Sequence, residues 1–236
     1  MSLSPTDRIY VALDTPDVNK AVSIAESLVG HVGGVKLGME FYYANGPQGA
    51  RAVNAVGMPL FLDLKFHDIP NTVAGAVRST LSLNPAILNV HAQGGPAMMR
   101  AAGDALDSAE GEKPLLIAVT VLTSLGDDDL QAIGVNDAAE QQVVRLARLT
   151  QDCGLGGVVC SPREIKAIRT ACGPDFKLIV PGIRPEWSAV GDQKRITTPA
   201  QAIRDGADYI VIGRPIAAAD DPVDAAKRIA DELAGL

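Results

Sequence analysis

The chain has 236 residues, 47% of them hydrophobic, and a formal net charge of −7. These values suit one compact domain over residues 1–236, and without a run of Lys and Arg the acidic balance argues against nucleic-acid binding. Neither a signal peptide nor a membrane-spanning apolar run is evident, so we expect a cytoplasmic protein that contacts no membrane. The cysteines, Cys153, Cys160 and Cys172, lack metal-ligand spacing and fit buried thiols in a reducing compartment.

Short apolar segments recur along the chain, and a longer amphipathic segment follows each of them. Apolar runs bounded by turn residues predict strands, which are, in chain order, 9–13, 34–38, 59–64, 86–91, 115–120, 157–160, 177–180 and 208–212. Helices are predicted between them, from residue 15, through residue 42, over 50–56, 70–83, 94–109 and 138–152, from residues 161 and 199, and at the end of the chain. Thr15 as an N-cap and prolines at first helical positions, Pro16 and Pro70, mark helix starts. The aspartate run 127–129 is expected to be a solvated loop.

These elements favour a (β/α)8 TIM barrel over an open doubly wound sheet, because eight continuous apolar strands alternate with about eight helices. The carboxyl ends of the strands in such a barrel converge on one face, where active sites lie. The polar residues at or just past these ends are Asp14, Lys36, Asp63, Lys65, His91, Thr123, Arg184 and Arg214. Taken singly, Lys36 also fits an ion-pair partner, His91 a core histidine bonded to backbone, and Arg184 a loop residue.

The segment 61–72 combines the end of an apolar strand, several charged residues and a helix start. Side chains alternate between the two faces of a strand, so Asp63 and Lys65 are expected on the same face. Burying a carboxylate and an ammonium together is costly, which indicates either a structural ion pair or a catalytic site. Asp68 precedes the helix predicted at Pro70, where a carboxylate also fits a helix cap.

Gly213 and Arg214 follow the last predicted strand directly and open a helix, where free backbone N–H groups favour an anion. Barrels often bind phosphate at the loops after strands seven and eight, and Arg184 and Gln193 lie in the first of these. The sequence therefore predicts a phosphate site. No P-loop, no Gly-x-Gly-x-x-Gly after the first strand and no His-Glu-x-x-His is present, so neither a nucleotide cofactor nor a catalytic metal is predicted.

The run Asp63-Leu64-Lys65-Phe66-His67-Asp68-Ile69-Pro70-Asn71-Thr72 closely resembles the signature of the orotidine 5′-phosphate decarboxylase family in its bacterial form. Other segments resemble the family in the expected order over nearly the whole chain, and these are 11–14, 35–38, 119–124, 181–184 and 212–215. The resemblance implies conversion of orotidine 5′-phosphate to uridine 5′-phosphate and CO2, the last step of de novo pyrimidine biosynthesis, without metal or cofactor.

The resemblance also implies roles for the matching residues. Lys36, Asp63, Lys65 and Asp68 would form an alternating charged network in which Lys65 donates a proton. The substrate-binding residues would be Asp14 and Lys36 at the ribose, Thr123 at the pyrimidine, Arg184, Gln193, Gly213 and Arg214 at the phosphate, and also Asp63, Ile69 and Thr72. Asp68, Ile69 and Thr72 would reach the active site of a second subunit, which implies a homodimer with shared sites.

Two alternatives stay open at this point. A magnesium-dependent keto-sugar-phosphate decarboxylase or synthase of a related barrel also resembles the pattern Asp63-x-Lys65-x-x-Asp68, although Phe66-His67 and Thr123-Ser124 favour the nucleotide enzyme. The other alternative is a non-catalytic nucleotide-binding barrel. Such a binder has no need for a lysine between two carboxylates, which argues against it.

Overall fold

The computed structural model describes residues 3–188 and 197–236. Eight parallel strands close into a barrel in their sequence order. The strands are β1 (Ile9–Ala12), β2 (Gly34–Gly38), β3 (Leu60–Phe66), β4 (Ile87–His91), β5 (Leu115–Val119), β6 (Gly157–Val159), β7 (Lys177–Pro181) and β8 (Tyr209–Ile212). The predicted (β/α)8 TIM barrel is confirmed, and every strand end lies within two residues of its predicted position.

Helices surround the barrel. They are α1 (Val18–Ser27), α2 (Met39–Asn54), α3 (Pro70–Thr80), α4 (Gly95–Asp107), α5 (Asp127–Ala132), α6 (Ala139–Asp152), α7 (Ile165–Cys172), α8 (Pro199–Asp205), α9 (Arg214–Ala217) and α10 (Pro222–Ala234). α2 joins the two predicted segments across a kink at Gly46, whose φ is 61°. Among the described residues, no helix has the length and apolar character that crossing a bilayer requires.

Two layers of apolar side chains hold the barrel together. Outward-facing strand residues such as Leu62 and Leu88 pack against the helices in the large core. Inward-facing residues such as Tyr10, Phe61 and Ile87 form a smaller cluster inside the barrel. Because side chains alternate along a strand, the next inward positions after this cluster carry polar groups, so the apolar plug forms the floor of a polar chamber at the carboxyl ends.

The predicted start of the first helix at Thr15 and Pro16 is wrong. α1 begins at Val18, and its N-cap is Asp17, whose Oδ1 accepts a hydrogen bond from the backbone N–H of Lys20 at 3.1 Å. Thr15 Oγ1 instead accepts the N–H of Asp17 at 3.2 Å. Both residue types accept such bonds, and only the path of the chain decides which of them caps the helix.

The predicted loop at residues 127–129 is also wrong, because these aspartates form the first turn of α5. Carboxylates are favourable there, at the positive end of the helix dipole. Asp129 Oδ2 accepts the N–H of Gly126 at 2.9 Å, and Asp127 Oδ1 accepts the N–H of Ala139 at 2.8 Å. The acidic run therefore fixes two backbone turns rather than only facing solvent.

Candidate active site

β3 departs from regular strand geometry where its charged residues begin. Leu62 pairs with Leu88 of β4 and Phe66 pairs with Val90, so the three residues between Leu62 and Phe66 face Asn89 alone. Lys65 has a φ of 53°, in the left-handed region that residues other than glycine seldom adopt. Bulges of this kind bend a strand and redirect a side chain.

Asp63 and Lys65 both point into the barrel mouth, as predicted. The predicted placement is correct, but the reason given for it is wrong. The two side chains share a face because of the bulge and the left-handed backbone at Lys65, and not because of regular strand alternation. Lys65 Nζ lies 2.6 Å from Asp63 Oδ1. This is the length of a strong charge-assisted hydrogen bond.

The charged side chains form a continuous chain of alternating sign. Lys36 Nζ lies 3.3 Å from Asp63 Oδ2 and 3.4 Å from Asp14 Oδ1. Asp63 therefore accepts one ammonium on each carboxylate oxygen, from β2 on one side and from its own strand on the other. The Asp63 side chain is 12% exposed and that of Lys36 is 11% exposed, whereas Asp14 at the rim is 61% exposed. The predicted ion-pair partner role of Lys36 is confirmed.

Asn89 completes the surroundings of Asp63, and the sequence reasoning missed it. This β4 residue is fully buried, and its Nδ2 donates to Asp63 Oδ1 at 2.7 Å while its Oδ1 accepts the backbone N–H of Lys65 at 2.8 Å. The available signal was an asparagine in the middle of an otherwise apolar strand, two positions before His91 and therefore on the same face.

Burial alone would raise the pKa of Asp63, but the charges of Lys36 and Lys65 and the hydrogen bonds from Lys65 and Asn89 hold it below the usual value of an aspartate. The carboxylate thus stays ionised at neutral pH despite its burial. Its negative charge is compensated by two ammonium groups in direct contact, so the site holds a fixed array of charges before any ligand arrives.

His91 lies at the end of β4 beside this array. Burial, the neighbouring His67 and the charge of Lys65 lower the pKa of His91 to about 4. The imidazole is therefore neutral at pH 7. Its Nδ1 is buried and has no hydrogen-bond partner in the described part of the chain, so the predicted backbone contact is wrong for this atom. The ring instead lies 5.4 Å from that of His67, measured between centroids.

A cavity of about 310 Å³ opens over the charged array at the carboxyl ends of the strands. The predicted site residues that line it are Asp14, Lys36, Asp63, Lys65, Thr123 and Gly213. These residues come from five different strand ends, so the convergence expected of a barrel is observed for them. Pro181, Gly182 and apolar residues such as Phe61 and Val159 complete the wall.

Gly213 and Arg214 follow β8, where the sequence placed the phosphate site. A side-chain atom added at Gly213 would lie 3.7 Å from Asp14 Oδ2, so the backbone here runs close to the rim of the cavity. Arg214 begins α9 and lines an adjoining cleft of about 90 Å³ together with Asp14 and Lys20. Arg184 is half-buried after β7 and does not line the large cavity.

Three predicted residues lie outside the cavity of their own chain. Asp68 and Ile69 border an open depression beside it, and Thr72 is exposed on α3. The helix-cap alternative for Asp68 is wrong, because α3 has Ile69 as its N-cap. Among the described residues the Asp68 carboxylate accepts only the Ile69 N–H, at 2.7 Å. Gln193 lies outside the described residues.

The described residues contain no group of three or more His, Cys, Asp or Glu side chains that could hold a metal ion. The cysteines are free thiols, with Cys160 and Cys172 buried and Cys153 partly exposed. A fixed Asp–Lys–Asp–Lys array beside a cavity suits chemistry in which negative charge develops on a bound substrate next to an ammonium group.

Comparison with known proteins identifies the family. The model of the "Orotidine 5'-phosphate decarboxylase / HUMPS family" matches residues 7–229. The chain belongs to this family. The orotidine 5′-phosphate decarboxylase of Paramagnetospirillum magneticum is 54% identical over 95% of this chain and 97% of its own length. That of Rhodospirillum rubrum is 55% identical over 96% of this chain and 94% of its own.

A solved structure agrees with these relatives. The crystal structure of orotidine 5′-phosphate decarboxylase from Lactobacillus acidophilus matches with a TM-score of 0.85 and 37% identity, and it covers 95% of this chain and 98% of that one. The family resemblance drawn from the Asp63–Thr72 run is therefore confirmed.

We predict that His91 makes folding less favourable in mild acid. Unfolding restores the pKa of an ordinary histidine, about 6.5, whereas the folded value is about 4. Between these values the unfolded chain binds the proton and the folded one does not, so the free energy of unfolding falls as the pH drops from about 6.5 to about 4. In His91→Gln this fall in the free energy of unfolding should be smaller, because the titrating imidazole is gone. We expect a difference of roughly 1 kcal/mol, a value reduced for the solvent that screens the partly exposed ring.

Denaturant titrations of both proteins at pH 7.0, 6.0, 5.0 and 4.5, values chosen to span about this window, measure the difference. Comparing the slopes cancels the contributions of the carboxylates, which both proteins share. Equal slopes in the two proteins would contradict the neutral, buried state of His91.

Proposed function

We propose that this protein decarboxylates orotidine 5′-phosphate to uridine 5′-phosphate and CO2 in the last step of de novo pyrimidine biosynthesis, in the cytoplasm. The observation that carries this proposal is the Lys65 ammonium, which is held 2.6 Å from the buried Asp63 carboxylate at the floor of the cavity. Two relatives with 54% and 55% sequence identity, each named orotidine 5′-phosphate decarboxylase, support this proposal.

The chemistry needs what this site contains. Loss of CO2 leaves negative charge at C6 of the pyrimidine, where no adjacent carbonyl delocalises it simply. Preorganised positive charge beside that carbon lowers the free energy of the transition state, and the Lys65 ammonium is the group we assign to this role. The same ammonium then donates a proton to C6 as a general acid. This route requires neither a metal ion nor an organic cofactor.

Asp63 and Lys36 prepare Lys65 for this task. Asp63 binds both ammonium groups, one on each carboxylate oxygen, so neither lysine needs to reorganise when the substrate charge develops. Asp14 stands at the rim and contacts the buried Lys36, and we assign this pair to the ribose hydroxyls. Thr123, on the opposite wall of the cavity, is assigned to the pyrimidine amide.

The phosphate takes no part in the chemistry, but its binding energy can position the base. We assign it to Gly213 and Arg214 after β8, with Arg184 and Gln193 from the segment after β7. The support is the closeness of Gly213 to Asp14 and the position of Arg214 in the adjoining cleft. A guanidinium group binds phosphate through two parallel hydrogen bonds, which fixes orientation as well as affinity.

We further propose a homodimer in which Asp68, Ile69 and Thr72 complete the active site of the partner subunit. All three are exposed in the single chain, and Ile69 is a large apolar side chain with 67% of its surface exposed. Ile69 lies beside the open depression next to the cavity mouth, so a second subunit seated there would cover it. Asp68 would add a second carboxylate beside the partner's Lys65 and so extend the alternating charges.

The direct test is the ultraviolet absorbance of orotidine 5′-phosphate mixed with EDTA-treated protein. We expect conversion to uridine 5′-phosphate by the wild type and by Lys113→Ala, a control at the opposite end of the barrel. Lys65→Ala should lose at least about 10⁴-fold in turnover, because both charge stabilisation and proton donation are removed. A wild type that is inactive after EDTA treatment, or an active Lys65→Ala variant, would contradict the proposed function.

Mixing inactive variants tests the shared site. In a mixed dimer of Lys65→Ala and Asp68→Ala both defects fall in the same site, because Asp68 would serve the site of its partner. The other site of that dimer is then wild-type. Random exchange of subunits should restore about a quarter of the wild-type activity, since half of the dimers are mixed.

The matched control is a mixture of Lys65→Ala with Lys36→Ala. Both lysines contact the same Asp63 of their own chain, so every site in that mixed dimer keeps one defect and no activity should return. Restored activity in the control, or none in the first mixture, contradicts the proposed arrangement.

A further inference from the structure

We propose that Asn89 is a positioning residue for Lys65, which holds the backbone of the β3 bulge so that the ammonium group stays aimed at the reacting carbon. This inference rests on the decarboxylase function proposed above. It concerns a residue that does not line the cavity and is fully buried behind Asp63, so Asn89 acts on the substrate only through its two neighbours.

The backbone of β3 needs a hydrogen-bond partner at its bulge. A bulge leaves strand N–H and C=O groups without ladder partners, and a buried N–H without a partner is destabilising. The left-handed φ of 53° at Lys65 is itself unfavourable for a residue with a side chain. Asn89 Oδ1 accepts the Lys65 N–H at 2.8 Å and so replaces the missing ladder bond at the one residue that bears the strain.

Asn89 also contacts the carboxylate that holds the Lys65 ammonium. Asn89 Nδ2 donates to Asp63 Oδ1 at 2.7 Å, and the same oxygen accepts the Lys65 ammonium at 2.6 Å. One amide group therefore fixes both ends of the Lys65 residue, its backbone directly and its ammonium through Asp63. This orientation of the amide is the one that satisfies both contacts, since Lys65 N–H can only donate and the carboxylate can only accept.

Few side chains can replace this group. Aspartate keeps the acceptor for the Lys65 N–H but sets a second oxygen against Asp63 Oδ1. Leucine has a similar volume and offers neither hydrogen bond. Asn89 neither lines the cavity nor belongs to the assigned phosphate residues, so the expected damage is confined to the placement of Lys65 and Asp63.

The experiment measures kcat and KM for orotidine 5′-phosphate in Asn89→Asp and Asn89→Leu, and the dissociation constant of uridine 5′-phosphate by calorimetry. We expect kcat to fall about 10²-fold or more in both variants, because displacing a catalytic group by about 1 Å has an effect of this size. KM and the dissociation constant should change less than about fivefold, because within the described part of the chain Asn89 does not contact the groups assigned to the phosphate and the ribose.

Thr150→Val is the matched control for loss of a buried hydrogen bond. Thr150 is fully buried on α6, and its hydroxyl donates to Leu146 O at 2.8 Å. We expect this variant to lose thermal stability while kcat stays within about twofold of the wild type. The kcat loss is then specific to Asn89 and not a result of lower stability.

A crystal structure of Asn89→Asp, which has the shape of the wild-type side chain, gives a readout independent of activity. We expect Lys65 to leave the left-handed conformation or its ammonium to move away from Asp63 Oδ1. The inference is overturned if kcat in both variants stays within about threefold of an active wild type, or if the loss lies only in KM. A wild type that releases no CO2 overturns the proposed function first, and this inference with it.

Discussion

The carboxylate of Asp63 is the group on which the rest of the site depends. It is buried, yet it is ionised, because an ammonium group lies against each of its oxygens and the amide of Asn89 donates to one of them. Desolvating three charges is unfavourable by several kcal/mol per ion, and the contacts between them recover only part of it. A fold retains such an arrangement when fixed charge serves chemistry.

The barrel makes the arrangement possible. Strand ends that lie far apart in sequence converge on one chamber, so Asp14, Lys36 and Thr123 meet Asp63 without any long structured loop. The apolar floor beneath, with Tyr10 and Phe61, keeps water from reaching the charges from below. Rigid strands thus carry the charged groups, and the exposed turn before α3 is left for contact with a second subunit.

Much of this could be predicted from the sequence because the deciding signals are local. Continuous apolar runs indicated all eight strands. Of the polar residues predicted at the strand ends, Asp14, Lys36, Asp63, Lys65 and Thr123 line the cavity, whereas His91, Arg184 and Arg214 do not. The bulge in β3 and the left-handed Lys65 could not be predicted, since they depend on the register between β3 and β4. Asn89 was missed for the same reason: its partners lie on another strand, and its own segment shows only a polar residue among apolar ones.

Local signals also failed where two residues could serve equally well. Thr15 and Asp17 are both good N-caps, and the path of the chain after β1 selects Asp17. Aspartates fit a solvated loop as well as a first helical turn, so the contacts of Asp129 and Asp127 with backbone N–H groups were needed to decide. In each case the residue types allowed both outcomes, and only the path of the chain in three dimensions decided between them.

The most direct test of the claim that these charges serve catalysis and not folding is the unfolding free energy of the triple variant Lys36→Met, Asp63→Leu, Lys65→Met. Well-packed apolar replacements of a buried ionic group are often neutral or stabilising by about 1–4 kcal/mol, whereas removing one partner alone is destabilising by about 3–5 kcal/mol. We expect the triple variant to be inactive and more stable than Asp63→Leu alone. Relative to the wild type it should lose no more than the roughly 1–3 kcal/mol that an unpaired, buried Asn89 Nδ2 costs. A triple variant that is several kcal/mol less stable than the wild type would show instead that the charges hold the fold.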